Sequence, residues 1–224
     1  MSRFWLLSVL LLASCANNGV GERPVSAERG PYVLDGAIAP AVNVADIDSA
    51  LAQFMSSEGD RLILLPNRLD KAALDYSVGS LKVIDAWLAD VHTINKLQAG
   101  PGQAGEMLMM DGRGDNTVTF AGLYLGEVIR ANSSLSWNWQ RFDTFLTANP
   151  AFAEHYGKSP GLDTFVLAGP QGVATPINTA LKRVVQGKEE SVHYIGTLLL
   201  NEIDLDEALS GQDLLGMDRR DWAG

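Results

Sequence analysis

The chain has 224 residues, of which 27 are acidic and 17 are basic, so its formal net charge is −10. Proteins that bind nucleic acid through its phosphates need a surplus of Lys and Arg, and this balance therefore excludes nucleic acid as an expected partner. Cys15 is the only cysteine. No disulfide can form within the chain, and stability has to come from an ordinary apolar core.

The first fifteen residues form a distinct segment. Arg3 gives a positive start, residues 4–12 are mostly apolar, and Leu12-Ala13-Ser14-Cys15 closes the run. The run is too short to span a bilayer, which takes about 20 residues, and the arrangement is typical of an export signal. It resembles a bacterial lipoprotein signal peptide in which Leu12 to Cys15 is the lipobox.

This resemblance implies removal of residues 1–14 as a signal peptide and attachment of acyl chains to Cys15, so that the lipid bilayer is a partner. Two or more chains anchor a protein stably, since each buried methylene contributes about 0.8 kcal/mol. Ala16, where an aspartate would favour the inner membrane, points to the periplasmic side of the outer membrane. The inner membrane and the cell surface remain open alternatives. An acidic surface is repelled by anionic lipids, so the acyl chains would hold the protein at the membrane.

Residues 15–45 are expected to be the lipidated cysteine and a flexible linker, because Gly, Asn and Pro interrupt any apolar pattern there. Residues 46–224 are long enough for one globular domain with a substantial core. Asp46 is predicted to cap a first helix that extends to about Ser57. The apolar run at residues 61–66 is either a strand or a buried turn.

Ser77 is predicted to cap a long amphipathic helix with Asp85 among the polar residues of its outer side. Residues 111–116 are expected to form a turn. The following stretch, 117–131, is apolar nearly all round, which predicts a helix buried at the centre of the domain. Gly122 and Gly126 share one face of it and would let another element approach closely.

The remaining sequence predicts strands and then helices. Residues 135–142 begin with alternating apolar and polar side chains, and 163–168 are apolar, so we expect two strands that form a small antiparallel pair. Helices are predicted over 176–187 and from Glu189 to about Leu200. The expected fold is a single α+β domain with several amphipathic helices around a central buried helix and a small antiparallel strand pair.

Three stretches together resemble an uncharacterised bacterial domain family of unknown function. They are Leu74 to Ser77 with Leu81 to Leu88, then Gly122 to Arg130 followed by Trp137, then Pro176 to Tyr194. The resemblance covers about residues 70–195. It implies an α+β domain and carries over no catalytic residue.

Glu127 is a candidate site residue because a carboxylate in an apolar helix is costly unless it is paired. Arg130, three residues on, can reach the same face, and Arg141 or Arg183 could approach from elsewhere. One interpretation is a structural ion pair that fixes the central helix against the tryptophan strand. The other is an acid in a pocket.

Trp137 and Trp139 project to the same face of their predicted strand and are candidate ligand-facing aromatics. Such a pair can stack on sugar rings, including those of a cell wall, although tryptophans of this kind are also common in cores and interfaces. The three histidines lack metal-ligand spacing, so neither a metal nor another cofactor is expected. No Gly-x-Ser-x-Gly motif occurs, and no catalytic residue is assigned.

These features predict a membrane-tethered periplasmic lipoprotein with a non-enzymatic binding or scaffold role and a protein partner in the cell envelope. Two alternatives remain. One is an envelope hydrolase that uses a serine with His155 or His193. The other is an immunity-type protein that inhibits a delivered toxin.

Overall fold

The computed structural model describes residues 39, 41–99, 112–150, 152, 164–170 and 172–200. The predicted signal peptide, residues 1–14, and Cys15 lie outside these residues, as do most of the predicted linker, His155 and residues 201–224. The predictions made for those segments remain predictions.

Within the described residues, the chain forms six α-helices and three strands, which confirms the predicted α+β class. Four short 3-10 turns connect the first two helices. The elements are α1 (Ile47–Met55), α2 (Leu81–Ala99), α3 (Arg113–Asn132), β1 (Asn138–Arg141), α4 (Phe142–Ala148), β2 (Phe165–Gly169), β3 (Gly172–Ala174), α5 (Pro176–Gln186) and α6 (Val192–Leu200).

The packed domain begins before Asp46, where the globular domain was predicted to start. Ala39 and Val44 are buried, and the backbone N–H of Val42 donates a 2.7 Å hydrogen bond to Oδ1 of Asn116. Asp46 then caps α1 as expected, since its carboxylate accepts a 2.8 Å hydrogen bond from the backbone N–H of Ser49.

The apolar run at residues 61–66 forms buried turns rather than a strand. Leu64 is buried, and both of its backbone groups are satisfied by side chains of other elements. Its N–H donates to Oγ1 of Thr117 at 2.8 Å, and its carbonyl accepts from Nε1 of Trp87 at 2.9 Å. Because these side chains satisfy the buried peptide, no ladder of strand hydrogen bonds is needed there.

α3 is the central helix, and the prediction of a helix buried nearly all round is confirmed. It begins at Arg113, so the predicted turn is wrong for residues 113–116. Gly112, at φ +76°, makes the break immediately before the helix. An acidic side chain such as Asp115 interacts favourably with the helix dipole in the first turn of a helix. The polarity of residues 113–116 is thus typical of a helix start, although it also suggested a turn in the sequence.

The two glycines of α3 allow close contacts, as predicted. A Cβ added at Gly122 would lie 2.4 Å from Cα of Ile177, so α5 crosses α3 backbone to backbone. A Cβ at Gly126 would lie 2.0 Å from Cζ2 of Trp139, so the indole ring rests on the helix.

The sheet has the order β1-β2-β3 with both pairs antiparallel. The predicted pair exists, but β1 begins at Asn138, and Phe142 already belongs to α4. β3 was not predicted. Alternate residues of β2 are buried on opposite faces, with Leu167 in the main core and Val166 in a smaller cluster with Phe142 and Phe145. The sheet is thus covered on both sides at β2.

Candidate functional site

Glu127 links the central helix to the first strand. Its Oε1 accepts a 2.7 Å hydrogen bond from Nη1 of Arg130 and a 2.6 Å hydrogen bond from Nε1 of Trp139. The Glu127 side chain is 18% exposed and that of Arg130 is 39% exposed, so the pair lies at the edge of the core. Of the three arginines considered from the sequence, Arg130 is the partner. The ion pair lies within α3, and the hydrogen bond from Trp139 to the same carboxylate fixes α3 against β1.

The two tryptophans have different environments. Trp137 is only 5% exposed, donates from Nε1 to Oγ of Ser133 at 3.2 Å, and packs against Gly169. Trp139 is half-buried, with its ring on Gly126 and its N–H on Glu127. Trp137 thus has the core environment that was one of the alternatives, and Trp139 keeps partial solvent access.

A second polar cluster lies beside this site at the turn that contains Tyr76. The backbone of Tyr76 is left-handed, at φ +60°, a conformation that costs energy in a bulky residue. Its N–H donates to the hydroxyl of Tyr124 at 2.9 Å, and its carbonyl accepts from Nδ2 of Asn132 at 2.8 Å. The two tyrosine rings stack with centroids 5.0 Å apart. These contacts hold the strained turn against α3.

Burial raises the pKa of both tyrosine hydroxyls in this cluster. For Tyr124 the raising effect of desolvation is opposed by hydrogen bonds from Ser80 and from the backbone of Tyr76. For Tyr76 the nearby negative charge of Glu127 adds to the effect of burial. Both phenols therefore stay protonated at neutral pH, where each can act as a hydrogen-bond donor.

A third polar cluster is centred on Asp85, which forms an ion pair with Arg183. The sequence placed this residue on the solvent side of α2, and that prediction is wrong. Oδ1 of Asp85 accepts from Nε of Arg183 at 3.2 Å and from the backbone N–H of Val192 at 3.0 Å. Oδ2 accepts from the hydroxyl of Ser191 and from the backbone N–H of His193 at 3.3 Å.

Asp85 therefore caps the N-terminus of α6 from a neighbouring helix. An anion is favourable there because the first N–H groups of a helix have no partner within it. Ser191 adds the usual cap, since its Oγ accepts from the backbone N–H of Tyr194 at 3.0 Å. These two caps explain why α6 begins at Val192 and not at Glu189.

The described histidines have structural contacts. Nδ1 of His92 lies 2.7 Å from the carbonyl oxygen of Val184, and its ring packs against Gly187. His193 contributes its backbone N–H to Asp85. Ser191 donates to a carboxylate and not to an imidazole, so this cluster lacks the serine–histidine contact on which nucleophilic catalysis depends.

Two further features of the described residues concern metal binding and membrane insertion. Among the described residues, no three His, Cys, Asp or Glu side chains converge closely enough to hold a metal ion. None of the described helices combines the length and the hydropathy needed to cross a membrane.

No family model matches the sequence, and comparison with curated proteins and with solved structures finds no similar protein. The resemblance over about residues 70–195 therefore remains a prediction. The Asp85 and Tyr124 clusters were missed by sequence reasoning. Their partners lie between 44 and 108 residues away along the chain, and no local pattern marks such pairs.

Proposed function

We propose that this protein is a lipid-anchored protein of the bacterial cell envelope, tethered through Cys15 on the periplasmic side of the outer membrane. We further propose that it has a non-enzymatic binding or scaffold role toward an envelope protein. The observation that carries the proposal is the sequence Leu12-Ala13-Ser14-Cys15 after a short apolar run, with the only cysteine of the chain at the lipidation position.

Polar side chains that join separate elements of the folded domain support a binding role. Glu127 joins α3 to β1, Tyr124 joins α3 to the turn before α2, and Asp85 joins α2 to α5 and α6. Each group is engaged by several donors or acceptors within the fold. Such contacts rigidify a domain, and a rigid surface favours binding because little conformational entropy is lost when a partner docks.

Lipidation is tested by metabolic labelling with a palmitate analogue, followed by membrane flotation. The wild-type protein and Ser14→Ala, which keeps a small residue before the cleavage site, are expected to be labelled and to float with membranes. Cys15→Ala is expected to be unlabelled and to appear in the soluble fraction. An unlabelled wild-type protein would contradict the anchor.

The binding role is tested by mild crosslinking in intact cells, solubilisation of the envelope in detergent, and identification of what is purified with the tagged protein. A single stoichiometric partner, enriched with the wild-type protein and lost with Cys15→Ala, is the expected result. No enriched partner with either form would refute the scaffold role. Turnover abolished by one serine or histidine substitution would favour a hydrolase, and a tight one-to-one complex with a toxin would favour an immunity protein.

A further inference from the structure

Glu127 stands between two aromatic rings on the outer edge of α3. Successive residues of a helix are about 100° apart, so Tyr124 lies about 60° from Glu127 in one direction and Gly126 about 100° from it in the other. The ring of Tyr76 stacks on Tyr124, and the ring of Trp139 rests on Gly126. The rings of Tyr76 and Trp139 therefore flank Glu127 on opposite sides of the helix.

The surface between the two rings is open. By the same helical geometry, Arg130 lies on the Trp139 side of Glu127 and Ala131 lies on the Tyr76 side. Both residues are exposed, and the side chain of Ala131 is too small to cover its surroundings, while both rings are half-buried. The rings are separated by roughly the width of a helix, about 10 Å. A ligand that touches both rings must therefore be extended.

The hydroxyl of Tyr76 is not explained by the fold. Its backbone has φ +60°, a conformation that Gly or Asn adopts at lower cost than a bulky residue. Stacking on Tyr124 accounts for the aromatic ring, but Phe would supply the same stack. Among the described residues, the backbone of Tyr76 makes hydrogen bonds and its hydroxyl makes none. The fold thus presents a partly exposed phenol that it does not need for its own packing.

The Glu127–Arg130 pair also has unused hydrogen-bonding groups. Among the described residues, both donors to Glu127 reach Oε1, so Oε2 can accept from a ligand. Arg130 donates only from Nη1 there, and a guanidinium has further N–H groups. A carboxylate beside a guanidinium matches an amide, whose N–H donates to the first and whose carbonyl oxygen accepts from the second.

Four side chains thus lie at this surface, namely Tyr76, Glu127, Arg130 and Trp139. We propose that they bind a neutral saccharide chain that carries acetamido groups. Sugar rings have apolar C–H faces that stack on aromatic rings, and an extended chain places one sugar on Tyr76 and another on Trp139. An acetamido group between them fits the carboxylate and the guanidinium. This site goes beyond the scaffold role and does not depend on the lipid anchor.

Charge favours a neutral ligand. Burial raises the pKa of the Tyr76 hydroxyl, and the negative charges of Glu127 and Asp48 raise it further, so the hydroxyl remains a donor at neutral pH. Two carboxylates against one Arg130 make the surface acidic, and an anionic saccharide or a lipid phosphate would be repelled. An extended peptide also offers amides, but its backbone has no apolar faces for two separate aromatic rings.

The proposal is tested by calorimetric titration of the full-length protein carrying Cys15→Ser, so that lipidation has no influence on the result. The probe is a soluble tetramer of N-acetylglucosamine, and we expect a Kd between about 0.1 and 1 mM. A tetramer of glucose, which lacks the acetamido groups, is expected to bind at least about tenfold more weakly because the carboxylate and the guanidinium lose their amide partner.

Two variants separate binding from folding. Tyr76→Phe keeps the stack on Tyr124 and removes only the hydroxyl, so it should weaken binding about three- to tenfold with an unchanged urea midpoint. Arg130→Gln should weaken binding about tenfold or more, because it removes a charged donor. Tyr194→Phe and Arg68→Gln, which remove the same groups at exposed positions elsewhere, are the matched controls and should leave the affinity unchanged.

Several results would overturn the proposal. They are no binding of the N-acetylglucosamine tetramer at concentrations on the order of millimolar, equal affinity for the glucose tetramer, and equal effects in the two site variants and their controls. An envelope protein that the wild type captures and both site variants lose, without any saccharide binding, would also overturn it and would assign this surface to a protein partner.

Discussion

Replacement of Asp85 by Ala is expected to lower the free energy of unfolding substantially, because Asp85 joins three helices. The substitution removes the acceptor for Arg183 and two backbone N–H groups at the start of α6, together with the contact to Ser191. The Arg183 side chain is 8% exposed. Its charge would therefore remain buried without its carboxylate partner.

The magnitude follows from this burial. Breaking a buried ion pair by removing one partner costs about 3–5 kcal/mol, mainly because the remaining charge is uncompensated. The Asp85 side chain is 18% exposed, so water can reach part of the site and reduce the loss. Nη2 of Arg183 also keeps its 3.2 Å hydrogen bond to the backbone carbonyl of residue 85. We therefore expect a loss of about 3 kcal/mol, at the lower end of that range.

The assay is urea unfolding followed by tryptophan fluorescence, with a double-mutant cycle between Asp85→Ala and Arg183→Met. Arg183→Met should lower the free energy of unfolding less in the Asp85→Ala background than in the wild type. The difference between the two losses, which is the coupling energy of the pair, should be about 1–3 kcal/mol. Asp90→Ala, an exposed position on the same helix, is the control and should change stability by less than about 0.5 kcal/mol. A loss below about 1 kcal/mol for Asp85→Ala, or no coupling to Arg183, would refute the reasoning.

Three further outcomes are expected. Gly122→Ala should lower the free energy of unfolding by about 1–3 kcal/mol or more, because its Cβ would meet the backbone of Ile177. The loss should appear as a lower urea midpoint, and a midpoint equal to that of the wild type would contradict the close crossing of α3 and α5. Glu127→Gln should lower the free energy of unfolding by about 1 kcal/mol, since it removes the charge that pairs with Arg130 while an amide oxygen remains to accept from Trp139. An unchanged urea midpoint would contradict a structural role of Glu127. Burial raises the pKa of Tyr124 above its unfolded value of about 10, so its contribution to the free energy of unfolding should be full below about pH 10 and be lost as pH rises further. Between pH 8 and 11 the urea midpoint should therefore fall less in Tyr124→Phe than in the wild type. Equal falls in the two proteins would exclude the Tyr124 phenol as a cause.

Local sequence patterns predicted elements whose evidence is local. α1 is capped by Asp46 as expected, and α3 is buried nearly all round because its side chains from Val118 to Ile129 are mostly apolar. The pairing of the two strands was also predicted. The end points were less accurate, because Phe142 continues the apolar pattern of β1 yet begins α4, where its ring joins the smaller apolar cluster.

The candidate site shows the same limit. Glu127 was identified from the sequence because its carboxylate stands out in an apolar helix, and Arg130 was within reach by helical spacing. The sequence did not predict which of the two tryptophans would keep solvent access. That access depends on tertiary packing, in which the ring of Trp137 lies on Gly169 and the ring of Trp139 lies on Gly126. Trp137 is buried in this packing and Trp139 is half-buried.

The sequence by itself determined the α+β class, the central helix and the expectation of a lipid anchor at Cys15, because periodicity, capping and the lipobox are all read over a few consecutive residues. Only the tertiary structure decided that Asp85 is a half-buried cap for α6 and that Tyr124 holds the strained turn at Tyr76. These contacts join groups far apart in the chain. A carboxylate on a helix looks the same in sequence whether it faces water or the N-terminus of another helix, and its energy differs because the folded chain removes the water.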